Sequence, residues 1–170
     1  MNQIVELKPS LPNALNVDKA AVKSLMHTTG LELEEELTRE FDLQGLTLAG
    51  PVSEAMLIKA EAELVKSMEP ADEETLARAV LKLRGLTSHR NNGKDLDVIL
   101  EAYVEKLRQY PKDAVLESLD KLADDSEWFP SWSKMRADIE WRCKRRLLAM
   151  QAIQQERQKK TLKAVRNAAS

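Results

Sequence analysis

The strongest constraint in this chain is a stripe of apolar residues near its C-terminal end. Met135, Ile139, Cys143, Leu147, Met150 and Ile153 recur every three or four residues, the period that puts side chains on one face of an α-helix. The spacing predicts a helix from Trp132 to about Val165, roughly 50 Å long at 1.5 Å per residue. After Ile153 the stripe thins to Leu162 and Val165. A rod of that length cannot pack along its whole course on a body made from a chain of 170 residues. Its C-terminal third should project, fray or bind something.

The preceding sequence reads as shorter helices divided by breakers. Residues 1–15, with Pro9 and Pro12, read as a peripheral arm. Asn16 or Asp18 can cap a helix carrying Val17, Ala21, Val22 and Leu25, which ends near Gly30. The acidic run Leu31 to Phe41 reads as a further short helix, and Gly45, Gly50 and Pro51 break the chain after it. Ser53 caps a helix whose inward stripe is Leu57, Ala60, Leu64 and Met68. Asp72 caps another, with Leu76, Val80 and Leu83 inside and Gly85 at its end. The polar stretch from Thr87 to Lys94 is a loop. Asp95 then starts a helix whose broad inward face is Leu96, Ile99, Leu100, Tyr103, Val104 and Leu107. Tyr110-Pro111 stops it, because a residue before proline is pushed out of helical geometry. The next helix faces inward through Val115, Leu119 and Leu122, and Trp128-Phe129-Pro130 is a second stop.

Five glycines, 4% aromatics and few β-branched residues favour helix over sheet. The expected fold is all-α, a small multi-helix bundle with a long basic C-terminal helix. Its expected parts are an arm with short acidic helices over 1–51, a helical core module over 52–133 and the basic helix over 134–170. Cys143 is the only cysteine, so no internal disulfide framework forms. Neither a membrane-length apolar run nor the basic and apolar regions of a signal peptide are present. A cytoplasmic protein is expected.

Catalytic and metal chemistry find little support. His27 and His89 lie far apart, without Cys or carboxylate at ligand spacing. Gly93-Lys94 lacks the upstream glycine and following hydroxyl of a phosphate loop. Neither enzymatic activity nor a metal or other cofactor is expected. Charge is more telling. Residues 134–170 carry eleven Lys/Arg and three acids, a balance of +8, while the remainder carries 15 basic and 25 acidic residues, or −10. Such a division suggests an interaction tail. Arg142, Lys144, Arg145, Arg146, Lys159, Lys160 and Lys163 are candidates for contact with nucleic-acid phosphates or an acidic partner; the competing reading is a solvated or protein-binding face. Tyr110, Trp128, Phe129 and Trp132 are candidates for a partner anchor, or for an internal staple joining three helices.

The order of these motifs resembles a known module. A helix ending Leu107-Arg108-Gln109-Tyr110-Pro111 is followed by the helix around Val115, Leu119 and Leu122. Phe129-Pro130-Ser131-Trp132 then leads into the next helix. The arrangement is similar to a helical module of phage and prophage proteins, among them small helicase loaders and helicase inhibitors of phage replication operons. It covers about residues 76–140. The resemblance implies an all-helical protein without ATPase machinery that docks on a replicative helicase, with Tyr110, Pro111, Val115, Leu119, Phe129, Pro130 and Trp132 as scaffold positions. The expected function is that of a non-enzymatic phage-type DNA replication accessory protein. It would bind a protein partner and, through the basic helix, nucleic acid, with no membrane role. One alternative is an adaptor that forms a homo-oligomer through the Met135–Ile153 stripe. Another is a phage-encoded inhibitor of a host protein.

Overall fold

The computed structural model describes residues 14–39, 42–88 and 96–168. The expected arm over most of 1–15, His89, the Asn91-Asn92-Gly93 turn and the Asp95 start signal lie outside them. The elements run α1 (Ala14–Thr29), β1 (Glu32–Leu37), β2 (Leu43–Ala49), α2 (Glu54–Ser67), α3 (Glu73–Leu86), α4 (Leu96–Leu107), α5 (Lys112–Asp125) and α6 (Trp132–Ala168).

The fold is mainly α but not purely so. In place of the short helix expected over Leu31 to Phe41, β1 pairs antiparallel with β2. Leu33 lies opposite Leu48 and Glu35 opposite Leu46, with a shift of register between Glu36 and Leu37. Two residues per period puts Leu33, Glu35, Leu46 and Leu48 on one face. Leu46 is buried there, and Leu33 and Leu48 are half-buried against the core. Glu32, Glu34 and Glu36 occupy the other, exposed face. Gly30, at φ 67°, turns the chain from α1 into the strand, a conformation that a Cβ disfavours.

α2, α3 and α5 start where local chemistry directs, whereas α1 begins at Ala14, ahead of the Asn16 or Asp18 expected to cap it. Ser53 accepts from the Met56 N–H at 3.2 Å, and Asp72 from the Thr75 N–H at 2.8 Å. Each satisfies a donor that the first turn leaves orphaned. Pro111 caps α5 with φ −58°. Its missing N–H costs nothing at a helix start. The 37 residues of α6 extend about 55 Å.

Two apolar clusters share α6 as their common wall. The first joins Leu76, Val80 and Leu83 of α3, Val104 and Leu107 of α4, and Val115, Leu119 and Leu122 of α5 to Met135, Ile139 and Cys143. The second joins Leu25 of α1, Leu31, Leu43 and Leu46 of the hairpin, and Leu57, Ala60 and Leu64 of α2 to Ala149 and Ile153. The packing therefore divides between α2 and α3, and α6 belongs to both halves. Past Lys160 every described residue of α6 is exposed.

This partition predicts opposite outcomes for two substitutions on one helix. Ile139 is fully buried and Leu162 is 70% exposed. Ile139→Ala should lower the unfolding free energy by about 2–4 kcal/mol. Leu162→Ala should change it by less than about 0.5 kcal/mol in dilute solution. Urea unfolding followed by circular dichroism measures both.

Candidate functional site

The arginines of the presumed basic face point inward. Arg142, Arg145 and Arg146 are 4%, 7% and 1% exposed. They occupy the stretch of α6 between the two apolar clusters, where α1, β1 and α5 converge on it. Arg142 donates from Nε to Asp138 at 2.9 Å and from Nη1 to Glu117 of α5 at 2.8 Å. Arg145 forks onto the Glu35 carboxylate of β1. Arg146 forks onto both oxygens of Asp113, at the start of α5, and donates to the Ser67 carbonyl at the end of α2, 2.8 Å away.

Asp18 completes the cluster from α1. It is 2% exposed. Its Oδ2 accepts from the backbone N–H of Arg145 at 2.5 Å, so a carboxylate reaches a donor in the interior of α6. Its Oδ1 lies 3.2 Å from Arg146 Nε, but neither atom has a hydrogen-bond partner among the described residues. That contact is an ion pair without directional bonding.

Burial and charge pull these groups in different directions. Burial pushes the Asp18 carboxyl up from its ordinary 3.8 to about 6, against the lowering effect of its bonds and charges from Arg145 and Arg146. Burial is the largest influence on Asp113 and Asp138 and tends to raise both, but the hydrogen bonds and charges around them, led by those of Arg146 and Arg142, together outweigh it and hold both below the usual range. The Arg145 hydrogen bond lowers Glu35. Burial raises Glu117 despite Arg142. It also pushes the Cys143 thiol up to about 12, which leaves the thiol inert at neutral pH.

The remaining sequence candidates are placed differently. Lys144 pairs with Asp42 at 3.3 Å, Lys159 with Glu156 at 3.7 Å, and Lys160 donates to the Val52 carbonyl. Lys159 and Lys163 face solvent. Three of the seven basic candidates are therefore buried and four are not. Arg142, Arg145 and Arg146 are consumed inside the molecule because the apolar stripe of α6 runs through their positions. That spacing was the available signal: Arg142 and Arg146 each lie three residues beyond an inward-facing position, Ile139 and Cys143. Sequence reasoning did not anticipate Glu35, Asp113 and Glu117 as their partners, since these acids lie far away along the chain.

Of the stripe read as an alternative self-association seam, Met135, Ile139, Cys143 and Ile153 are buried in the chain's own clusters, Met150 packs half-buried against the second, and Leu147 is exposed. Of the four aromatic candidates, three form an internal staple. Tyr103 meets Phe129 edge-on at 5.5 Å and Trp132 at 6.1 Å, and Tyr110 packs on Trp132 at 6.5 Å. Trp128 differs, being 49% exposed. Its segment is fixed by a short bridge: the Ser88 N–H donates to the Glu127 carbonyl and the Phe129 N–H to the Ser88 carbonyl, both at 2.8 Å. Leu86, two residues before Ser88, is 61% exposed.

No group of three or more His, Cys, Asp or Glu among the described residues could hold a metal ion. Nor is any helix among them long and apolar enough to cross a membrane. Comparison of the chain with family models, with curated proteins and with solved structures finds no match in any of the three.

Two outcomes follow from the buried arginines. Removing one partner of a buried ion pair leaves the other charge uncompensated. Arg146→Ala should therefore cost about 3–5 kcal/mol of stability, and Lys163→Ala less than about 0.5 kcal/mol, both read by urea unfolding. The second outcome is a pH dependence. Native Asp18 holds its proton up to about pH 6, whereas the unfolded group releases it near 3.8. Its contribution to stability is therefore complete below the lower value and is lost as pH rises through the higher one, by an amount on the order of 3 kcal/mol. Asp18→Asn lacks this titration. The stability deficit of the variant relative to the parent should shrink between pH 4 and pH 7, and unfolding curves at the two pH values test the sign.

Proposed function

We propose that this chain is a non-enzymatic docking protein of the phage-type replication accessory class, with a replicative helicase as its protein partner. The class rests on the motif order around Tyr110-Pro111 and Phe129-Pro130-Ser131-Trp132. The docking role rests on one observation above others. Trp128 and Leu86 stand 49% and 61% exposed beside a core against which Tyr103, Tyr110, Phe129 and Trp132 pack half-buried. Aromatic residues held rigidly at a surface are the typical anchors of protein interfaces. Here the bridge between Ser88 and Glu127–Phe129 supplies the rigidity.

A direct role on nucleic acid has less support. With Arg142, Arg145 and Arg146 committed to internal carboxylates, Lys159 and Lys163 are the sequence candidates left facing outward. Two lysines neutralise few phosphates, so such binding would be weak and would fade with moderate salt.

The test is binding of the full chain to a purified hexameric replicative helicase of a bacterial host, followed by interferometry. The parent chain should bind. Trp128→Ala should keep its helical spectrum and bind at least about tenfold more weakly, the usual scale for loss of an aromatic anchor. No binding by the parent, or equal binding by the variant, contradicts the proposal.

A further inference from the structure

The outward face of α6 carries a pattern that the docking role leaves unused. Leu147, Gln151, Gln154, Gln155, Gln158 and Leu162 are all exposed, with Leu147 at 44% and Leu162 at 70%. At 100° per residue these six fall within one narrow stripe, opposite the side that bears Arg142, Arg146, Ala149 and Ile153. The stripe carries no charge, although Arg157, Lys159, Lys160 and Lys163 lie on the same stretch. It is about 22 Å long.

The stripe is also its own mirror when read backwards. Around a centre between Gln154 and Gln155, Leu147 corresponds to Leu162, Gln151 to Gln158, and Gln154 to Gln155. A twofold contact between identical surfaces requires this reciprocity, in which residue i meets residue j and j meets i. We infer that the protein pairs with a second copy of itself through this face, α6 against α6, antiparallel and centred between Gln154 and Gln155. The inference does not rest on the helicase reading.

Chemistry favours that occupant and that direction. Each Gln side chain both donates and accepts, so facing glutamines satisfy one another in a seam that contains no lysine. The leucines close the two ends, and Leu147 of one copy comes level with an open groove of the other lined by Gln154, Gln158, Thr161 and Leu162, with Arg157, paired to Glu54 and Glu61, at its margin. A parallel pair would set Lys144 against Lys144 of the second copy. The antiparallel register sets it level with Val165, and it also opposes the helix dipoles. Both bodies then lie on the outer sides of the helix pair. A contact of this length is at the small end of stable interfaces, so the dimer should dissociate on dilution.

Sedimentation velocity of the full chain over a range of concentrations provides the test. The parent should pass from monomer to dimer, and Leu147→Glu should weaken the dimer at least tenfold with an unchanged helical spectrum. A double variant, Gln151→Glu with Gln158→Lys, reads the direction on solvent-facing positions that folding does not need. Antiparallel pairing sets each Glu against a Lys of the other copy, twice, and tightens the dimer. A parent that stays monomeric at every concentration overturns the inference, as does a double variant whose dimer is weaker than or equal to the parent's.

Discussion

The guanidinium of Arg146 is the point at which this structure is held together. It is 1% exposed. It meets Asp113 from α5, Asp18 from α1 and the last carbonyl of α2 at once. Those three elements come from both apolar clusters, which α6 also joins through its own apolar face. A buried charge is tolerable only when its partners replace the water it gave up. The positions of Asp18 and Asp113 are therefore tied to one side chain, and the docking of α1 and α5 on α6 is tied to their positions.

This arrangement gives the charge division of the sequence a new meaning. Among the described residues, Arg142, Lys144, Arg145, Arg146 and Arg157 of this basic segment reach carboxylates from the acidic remainder. The +8 and −10 parts are complementary halves of one interior and its margins, more than a cationic tail offered to an outside polyanion. What remains outward on α6 is Lys134, Arg136 and Glu140 near its start, an uncharged glutamine stripe along its middle, and Lys159, Lys163 and Arg166 toward its end. The surface of the molecule is thus less polarised than its sequence.

Much of the helical framework was legible because it depends on local chemistry. Ser53 and Asp72 cap as their side chains dictate, Pro111 starts a helix, and Leu57, Leu76 and Ile139 face inward as their spacing requires. The hairpin was not legible in the same way. Leu31, Leu33, Leu46 and Leu48 do alternate, but Glu34-Glu35-Glu36 is a run of good helix formers that masks a period of two over so short a strand. Strand pairing across a turn decided the matter, and propensity yielded to it. The arginines were misjudged for a related reason. Exposure is the usual fate of Arg, and only the apolar periodicity through Arg142 and Arg146 spoke against it. Their partners lie as far off as Glu35 and Asp18, beyond the reach of any local pattern.

The buried arginines are structural, and a double-mutant cycle on Arg146 and Asp113 tests that most directly. Arg146→Met, Asp113→Asn and the two combined would be unfolded in urea at neutral pH. If the pair holds α5 to α6, the losses are strongly non-additive, with a coupling of about 1–3 kcal/mol. Losses that add to within about 0.5 kcal/mol would mean that the two side chains act independently, and the arginine belt would not be what joins the halves of this fold.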